Sequence, residues 1–240
     1  MRKNILAAVV GMAAITLTSA ANAAPITYFG ENLTPGATVT GDPVAARADF
    51  LAALSGGVGT EDFEGFTAGD ATPLVLSFPG STGNISATLS GAGTAIGSGG
   101  GAGRFATSGS QYVETPGGGD FVIDFGAPIA AFGFFGTDLG DFGNDLEITL
   151  TDINAVETMF TLDLVGTPNG GLIFWGFTDA ANQYTQISFD NVPGGTDVFG
   201  FDDMTIGDAG QIIGVPETGS LALFGLGIAG LGFARRRKTS

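Results

Sequence analysis

The sequence predicts an all-β protein, an antiparallel β-sandwich or jelly roll, and three observations support this fold class. The 240 residues include 42 glycines and 20 phenylalanines, a mixture that suits many tight turns between half-buried strands. Segments such as 145–152 alternate apolar and polar residues with a period of two, as in a sheet with one solvated face. Gly, Pro, Asn and Asp separate these short segments, which is typical of sandwiches.

Ten strands are predicted in the main domain, which we place at residues 61–209. They are Leu74–Phe78, Ile85–Ser90, Gln111–Glu114, Phe121–Phe125, Ala131–Gly136, Asp145–Asp152, Thr158–Asp163, Gly171–Phe177, Gln186–Asp190 and Val198–Ile206. Between them, Gly91–Gly109 is rich in Gly, Ser and Ala and predicts a long mobile loop. Residues 97–102 fit a loose dinucleotide-binding pattern, but no strand leads into them and no helix follows, which argues against a nucleotide site.

One helix is predicted in the segment before this domain, residues 24–60. Asp42 is the expected N-cap and Pro43 occupies the first helical position, while Gly56 and Gly57 end an alanine-rich run. We expect three apolar residues of this helix to lie against the edge of the main domain: Phe50, Leu51 and Leu54.

Charge and composition exclude several functions. Of the 24 acidic residues, 23 lie before Val215, whereas Arg47 and Arg104 are the basic residues between the terminal segments. Such an acidic body repels phosphates, so nucleic-acid binding is not expected. The absence of His and Cys removes Ser-His-Asp and Cys-His catalysis and zinc sites built on those residues. We predict a protein that is not an enzyme; the alternative is a secreted carbohydrate-active enzyme that uses a carboxylate pair.

Acidic residues at the two ends of the domain predict a calcium site. The segments 61–64 and 201–204 bring Glu64, Asp202 and Asp203 together if the first and last strands are neighbours, and Ca²⁺ would relieve their mutual repulsion. The pattern is similar to that of jelly-roll modules such as MAM and carbohydrate-binding domains, where it marks a structural Ca²⁺ site. The alternative is that these carboxylates form the solvated sides of edge strands.

A second acidic cluster lies in the turn at residues 137–145. Asp138, Asp141 and Asp145 are expected to face either a cation or sugar hydroxyls, because nearby glycines permit a tight loop. A plain connecting turn is the alternative interpretation.

Aromatic residues around Trp175 predict a platform for a sugar ring, formed with Phe174, Phe177 and Tyr184. A core position is the alternative, since at least one face of this strand must be buried. The predicted glycan-binding residues are therefore Trp175, Asp138 and Asp141.

Residues 1–23 have the pattern of a signal peptide. A basic start precedes the mostly apolar run Ile5–Leu17, and Ala21-Asn22-Ala23 forms a small-x-small cleavage site, so the mature chain is expected to begin at Ala24.

The C-terminal segment, residues 210–240, has three parts. Val215-Pro216-Glu217-Thr218 is followed by the uncharged run Leu221–Ala234 and then by a basic cluster. As a helix the run reaches about 21 Å, short of the roughly 30 Å of a hydrocarbon core. We interpret the basic cluster as a stop-transfer signal that stays on the cytoplasmic side: Arg235, Arg236, Arg237 and Lys238.

This tail resembles the PEP-CTERM sorting signal of Gram-negative bacteria. The resemblance implies export by signal peptidase, transient anchoring in the inner membrane, cleavage by an exosortase, and release or attachment at the cell surface, often alongside exopolysaccharide. Residues 132–138 also resemble a segment of PEP-CTERM proteins that have an all-β body. Thr218 departs from the expected proline and makes residues 215–219 similar to the Leu-Pro-x-Thr-Gly signal of sortases. An ordinary C-terminal membrane anchor is a further alternative.

Overall fold

The computed structural model describes residues 24–34, 38–116, 118–164, 169–192 and 197–213. In these ranges the chain forms thirteen strands and one α-helix, and no helix there has the length and apolar character needed to cross a membrane. The predicted signal peptide, cleavage motif, apolar run and stop-transfer cluster lie outside the described residues.

The elements follow one another as β1 (Ile26–Asn32), α1 (Asp42–Ala52), β2 (Gly59–Glu61), β3 (Leu74–Pro79), β4 (Asn84–Ser90), β5 (Ala95–Ser98), β6 (Gln111–Thr115), β7 (Gly118–Ile129), β8 (Ala131–Thr137), β9 (Asp145–Asp152), β10 (Glu157–Leu162), β11 (Leu172–Thr178), β12 (Tyr184–Val192), β13 (Phe199–Gly207) and a 3₁₀ helix (Ala209–Gln211).

Two antiparallel sheets form the sandwich. The first has the order β1-β11-β8-β13-β6-β5, with β2 also paired to β13, and the second has the order β10-β9-β12-β7-β4-β3. Their inner faces meet in a core rich in aromatic residues, because alternate residues of each strand point inward. For example, Phe134 of the first sheet lies 5.5 Å from Phe189 of the second, measured between ring centroids. The prediction of an antiparallel β-sandwich is confirmed.

All ten predicted strands are present, nine of them with shifted ends, and three further strands were missed. β1 is an edge strand that buries only Gly30, so it lacks an apolar face in the sequence. β5 lies within the segment 91–109, and its pairing with β6 contradicts the prediction of a mobile loop there. Because β1 pairs with β11 and β2 with β13, residues 24–60 supply strands to the first sheet as well as the helix.

The helix α1 packs on the outer face of the first sheet. It contacts β1, β11 and β8 rather than only the domain edge, and Phe50 is fully buried against Tyr28 and Phe174. Gly133 makes room for this contact, since a Cβ there would lie 2.9 Å from a ring carbon of Phe50. Leu54 is also buried and Leu51 is half-buried, as the sequence predicted for the apolar face.

The helix begins one residue earlier than expected. Its N-cap is Gly41, with φ of 82°, and Asp42 lies inside the first turn, so the prediction of Asp42 as N-cap is wrong. Only glycine adopts this backbone conformation without strain, which explains why the sharp entry into the helix occurs there. Pro43 does lie in the first turn.

The last described residues are hydrogen-bonded to the end of α1. Ser55 N donates to Gln211 O at 2.7 Å, and Ile213 N donates to Ala53 O at 2.9 Å. We name this short ladder, residues 53–55 with 211–213, the terminal clasp. Every described core residue lies between Ala46 and Ile206.

Candidate functional site

Glu64, Asp202 and Asp203, here named the end cluster, come from the two ends of the predicted main domain. β2 pairs with β13, with Glu61 opposite Met204, and Glu64 follows β2 by three residues. The pairing of β13 with β8 shifts between Asp202 and Thr205, and Asp203 has a positive φ of 50° at this irregularity. The sequence correctly predicted that the two ends converge.

Protein donors bind the two aspartates of the end cluster. Asp202 Oδ2 accepts hydrogen bonds from Thr107 N at 2.6 Å and Thr107 Oγ1 at 2.9 Å, and Asp202 Oδ1 accepts from Asp203 N at 2.7 Å. Asp203 Oδ1 accepts from Ser108 Oγ at 2.8 Å. These bonds fasten the segment before β6 onto the first sheet.

Glu64 holds the next part of the same segment. Its Oε1 accepts hydrogen bonds from the backbone N–H groups of Ser110 and Gln111, both at 2.6 Å. These two donors lower the pKa of Glu64, because they favour the ionised carboxylate. The end cluster therefore holds residues 107–111 at both ends: the two aspartates bind residues 107 and 108, and Glu64 binds residues 110 and 111.

At Asp202, burial and the like charge of Asp203 shift the pKa in the opposite direction to the hydrogen bonds. Burial first, and then the charge of Asp203, raise the pKa of Asp202 to about 7, although the N–H groups of Thr107 and Asp203 lower it. In the described ranges no group of three or more acidic side chains is arranged to hold one metal ion. Glu64, Asp202 and Asp203 are the side chains that would supply oxygen ligands, and calcium at this position stays a prediction.

A second group of carboxylates, here named the loop cluster, consists of Asp138, Asp141 and Asp197. Asp138 is buried and has a positive φ of 66° just after β8. Its Oδ1 accepts a hydrogen bond from Gly170 N at 2.8 Å, and Arg104 Nη1 donates to its Oδ2 at 3.4 Å. Arg104 also donates through Nε to Glu114 at 2.9 Å.

Asp197 was not singled out by the sequence analysis. It lies in the loop before β13, as Asp138 lies after β8, and these strands are antiparallel neighbours, so the two residues meet at one end of the sheet. Its Oδ2 accepts a hydrogen bond from Gly140 N at 2.8 Å. Burial, followed by the charges of Asp141 and Asp138, raises the pKa of Asp197 to about 6. The strand order is what would have revealed this residue, and it cannot be derived from spacing alone.

The third aspartate predicted for this loop lies apart. Asp145 Oδ1 accepts a hydrogen bond from Leu164 N at 3.0 Å, which joins β9 to the residues after β10. Asp145 thus has a backbone partner of its own, and no three acidic side chains of the described residues are arranged around one metal ion, although all three aspartates were expected to face one ligand. Asp138 is also only 2% exposed, so it does not present its carboxylate to a surface glycan as predicted.

The predicted aromatic platform is wrong. Trp175 is 1% exposed and packs among Phe132, Phe134 and Phe160 in the core. Phe174, Phe177 and Tyr184 are buried as well, since α1 covers one face of β11 and the second sheet covers the other. No ring of this group is available to stack on a sugar.

A cavity of about 380 Å³ opens at the end of the sandwich that the 3₁₀ helix occupies. Hydroxyl, amide and carboxylate side chains line it above a floor of Ile85, Ala127 and Pro128; the polar residues are Ser81, Thr82, Asn84, Gln183 and Asp208. Asp208 Oδ2 accepts hydrogen bonds from Ser81 N and Oγ, which ties the turn after β3 to the 3₁₀ helix. Sequence reasoning missed this cavity because its walls come from three connections and the end of β7, which are distant from one another in sequence.

Comparison with known proteins gives a likeness to solved structures but no family or curated relative. No protein-family model matches the chain, and no curated protein matches its sequence. Among solved structures, the chain is similar to the K2 cleaved adhesin domain of Lys-gingipain, with 15% sequence identity and a TM-score of 0.40. The match covers 62% of this chain and 98% of that domain.

Proposed function

We propose that this chain is an exported surface or extracellular-matrix protein of a Gram-negative bacterium, sorted by its C-terminal segment, that adheres to exopolysaccharide and carries out no catalysis. The observation that carries the proposal is the three-part tail, in which a Val-Pro-Glu-Thr motif, an apolar run and a basic cluster occur together. An acidic β-sandwich fits such a role, because its charge keeps it soluble outside the cell and away from nucleic acid.

Processing at both ends would leave the described core intact. Every described core residue lies between Ala46 and Ile206, so cleavage after Ala23 and near Val215–Thr218 removes none of them. In this proposal the inner membrane holds the chain transiently through Leu221–Ala234, while Arg235–Lys238 stays in the cytoplasm until the exosortase-type protease cuts.

The cavity is the best candidate for the adhesive surface. Its rim offers hydroxyl and amide groups that match sugar hydroxyls, and its apolar floor suits the C–H face of a sugar ring. No Lys or Arg lines it in the described part of the chain, so a neutral glycan fits its chemistry better than an anionic one. This assignment replaces the surface around Trp175.

Sorting is tested by intact-mass measurement of the protein recovered from the cell surface or medium. We expect a mass that begins at Ala24 and lacks the apolar run and the basic cluster. A native protein that still carries Arg235–Lys238 contradicts exosortase processing and supports the membrane-anchor alternative. A product cleaved between Thr218 and Gly219 supports the sortase alternative.

Adhesion is tested by binding to an array of neutral bacterial polysaccharides. Gln183→Ala and Thr82→Ala remove polar groups from the rim, and each is expected to weaken binding about fivefold, the effect of one lost hydrogen bond. Thr161→Ala, on the exposed face of β10, is the matched control and should bind as the wild type does. Polysaccharide cleavage that a single Asp or Glu to Ala change abolishes would establish the enzyme alternative instead.

A further inference from the structure

Two carboxylate oxygens in the loop cluster are buried without a hydrogen-bond donor. Asp197 is 1% exposed, and its Oδ1 has no hydrogen-bond partner in the described part of the chain. Asp141 Oδ1 is also shielded from solvent and has none. The two carboxyl groups lie within hydrogen-bonding reach of each other. A buried carboxylate oxygen without a donor is costly, so the pair favours either a shared proton or a bound cation.

The donors that reach this pair bind the Oδ2 atoms and not the Oδ1 atoms. Gly140 N donates to Asp197 Oδ2, and Asn169 Nδ2 lies 3.4 Å from Asp141 Oδ2. Both bonds are made to Oδ2 atoms, so the two Oδ1 atoms are left without a donor. Gly140 has a φ of 82°, and a Cβ at this position would meet the carbonyl oxygen of Leu164, so this backbone oxygen lies beside the turn.

No basic side chain in the described ranges serves these two carboxylates. Arg104 donates to Glu114, Asp138 and the carbonyl of Val198. Arg47 is the other described basic residue, and its guanidinium lies over the ring of Phe135. The described part of the chain therefore supplies no basic side chain as a counter-charge for Asp141 and Asp197, and a cation from solution would supply one.

We propose that Asp141 and Asp197 bind a Ca²⁺ ion through their Oδ1 atoms. These two oxygens are free to act as ligands, and Ca²⁺ takes oxygen ligands from carboxylates, backbone carbonyls and water. Two carboxylates give a weak site, with a dissociation constant of about 10⁻⁴ to 10⁻³ M, as in other extracellular calcium modules. The site is separate from the end cluster and does not depend on the proposed sorting or adhesion.

Thermal unfolding of the full-length chain with and without Ca²⁺ tests the site. After treatment with EDTA, addition of Ca²⁺ to about 100 times the dissociation constant is expected to raise the melting temperature by roughly 5 °C. Asp197→Asn should abolish this response, because the amide neutralises one ligand and its Nδ2 donates to Asp141 instead. Asp141→Asn, at a half-buried position, is a second variant that should also abolish it.

Glu64→Gln is the matched control, since it alters the end cluster and leaves the loop cluster intact. It should keep the calcium response, and calorimetric titration should show one Ca²⁺ fewer per chain in Asp197→Asn than in the wild type. The proposal is overturned if the wild type binds no Ca²⁺, or if Asp197→Asn responds as the wild type does. It is also overturned if Ca²⁺ has no effect while Asp197→Asn melts higher than the wild type at neutral pH, which shows that a shared proton joins the pair.

Discussion

The end cluster and the loop cluster contain the same kind of side chain at different parts of the first sheet, yet only one is satisfied by the protein. Each oxygen of Asp202 accepts a hydrogen bond, from Thr107, Ser108 or Asp203. In the loop cluster, the Oδ1 atoms of Asp141 and Asp197 accept none in the described ranges. The difference lies in the segment beside each cluster. Residues 107–111 bring backbone N–H groups and hydroxyls to the end cluster.

This comparison teaches that density of negative charge alone does not identify a cation site. Carboxylates that meet backbone N–H groups become part of the scaffold, because those donors replace water at little cost. Carboxylates that contact only each other repel one another, and a proton or a cation between them relieves the repulsion. The clusters should therefore respond differently to mutation, pH and calcium.

The largest effect is expected from Asp202→Ala. The change leaves the N–H groups of Thr107, Ser108 and Asp203 without their acceptor in a fully buried position, so we expect the free energy of unfolding to fall by about 4 kcal/mol. Urea unfolding measures this loss. Asp190→Ala, at an exposed position on β12, is the control and should change stability by less than about 0.5 kcal/mol. Equal stability of the two variants would show that residues 107–111 are not held by the end cluster.

The next effect concerns Asp138, the one carboxylate of the loop cluster that has a basic partner. Arg104→Met removes that partner and leaves a buried charge, which is expected to cost about 3 kcal/mol at pH 7.5. The loss should shrink near pH 4, because burial raises the pKa of Asp138 and removal of Arg104 raises it further.

Urea unfolding of Arg104→Met at pH 7.5 and near pH 4 measures the loss of stability and how far it shrinks at the lower pH. Arg47→Met is the control, since Arg47 lies over the Phe135 ring and serves no described carboxylate. Its loss should be about 1 kcal/mol and independent of pH. A pH-independent loss in Arg104→Met would show that Arg104 acts through packing rather than charge.

A smaller effect is expected in the pH profile of Asp197. Burial raises its pKa to about 6, so its contribution to stability is fully present below its ordinary pKa of 3.8 and is lost as the pH rises through 6. In EDTA, the stability of the wild type relative to Asp197→Asn should fall by about 2 kcal/mol between pH 4 and pH 8. Calcium should abolish the fall at high pH. A flat difference profile in EDTA would mean that Asp197 is not shielded from water as described.

The sequence predicted much of the fold because its core strands alternate in the expected way. Residues 145–152 show this pattern, and β9 spans them without a shift. β1 and β5 escaped prediction because they lie at sheet edges and bury few side chains. Trp175 was misjudged because periodicity shows that a strand has two apolar faces, but not that a helix covers the outer one. Asp197 required the order of β8 and β13, which depends on contacts distant in sequence.

The smallest effect is expected from Glu64→Ala, because Glu64 is exposed. Its pKa is lowered by the N–H groups of Ser110 and Gln111, so its contribution is present above its ordinary pKa of 4.5 and is lost as the pH falls below it. At pH 7 we expect faster hydrogen exchange at the amides of Ser110 and Gln111 with little change in melting temperature. Asp152→Ala is the control, since it should speed exchange at Asn154 and Val156 instead. Unchanged exchange at Ser110 would mean that water already competes for this bond.

If the chain is tethered through the residues after Ile213, as proposed, mechanical load would enter the described fold at the terminal clasp. Residues 211–213 pair with the end of α1, and Gln211 follows β13, which lies inside the first sheet. Under fluid shear, a pull on the residues after Ile213 would first strain the few hydrogen bonds of the clasp, and then draw on β13 along its length against β8. The hydrogen bonds between β13 and β8 would be loaded together and resist more force than the few bonds of the clasp. The clasp would therefore open first, while the sandwich stays closed.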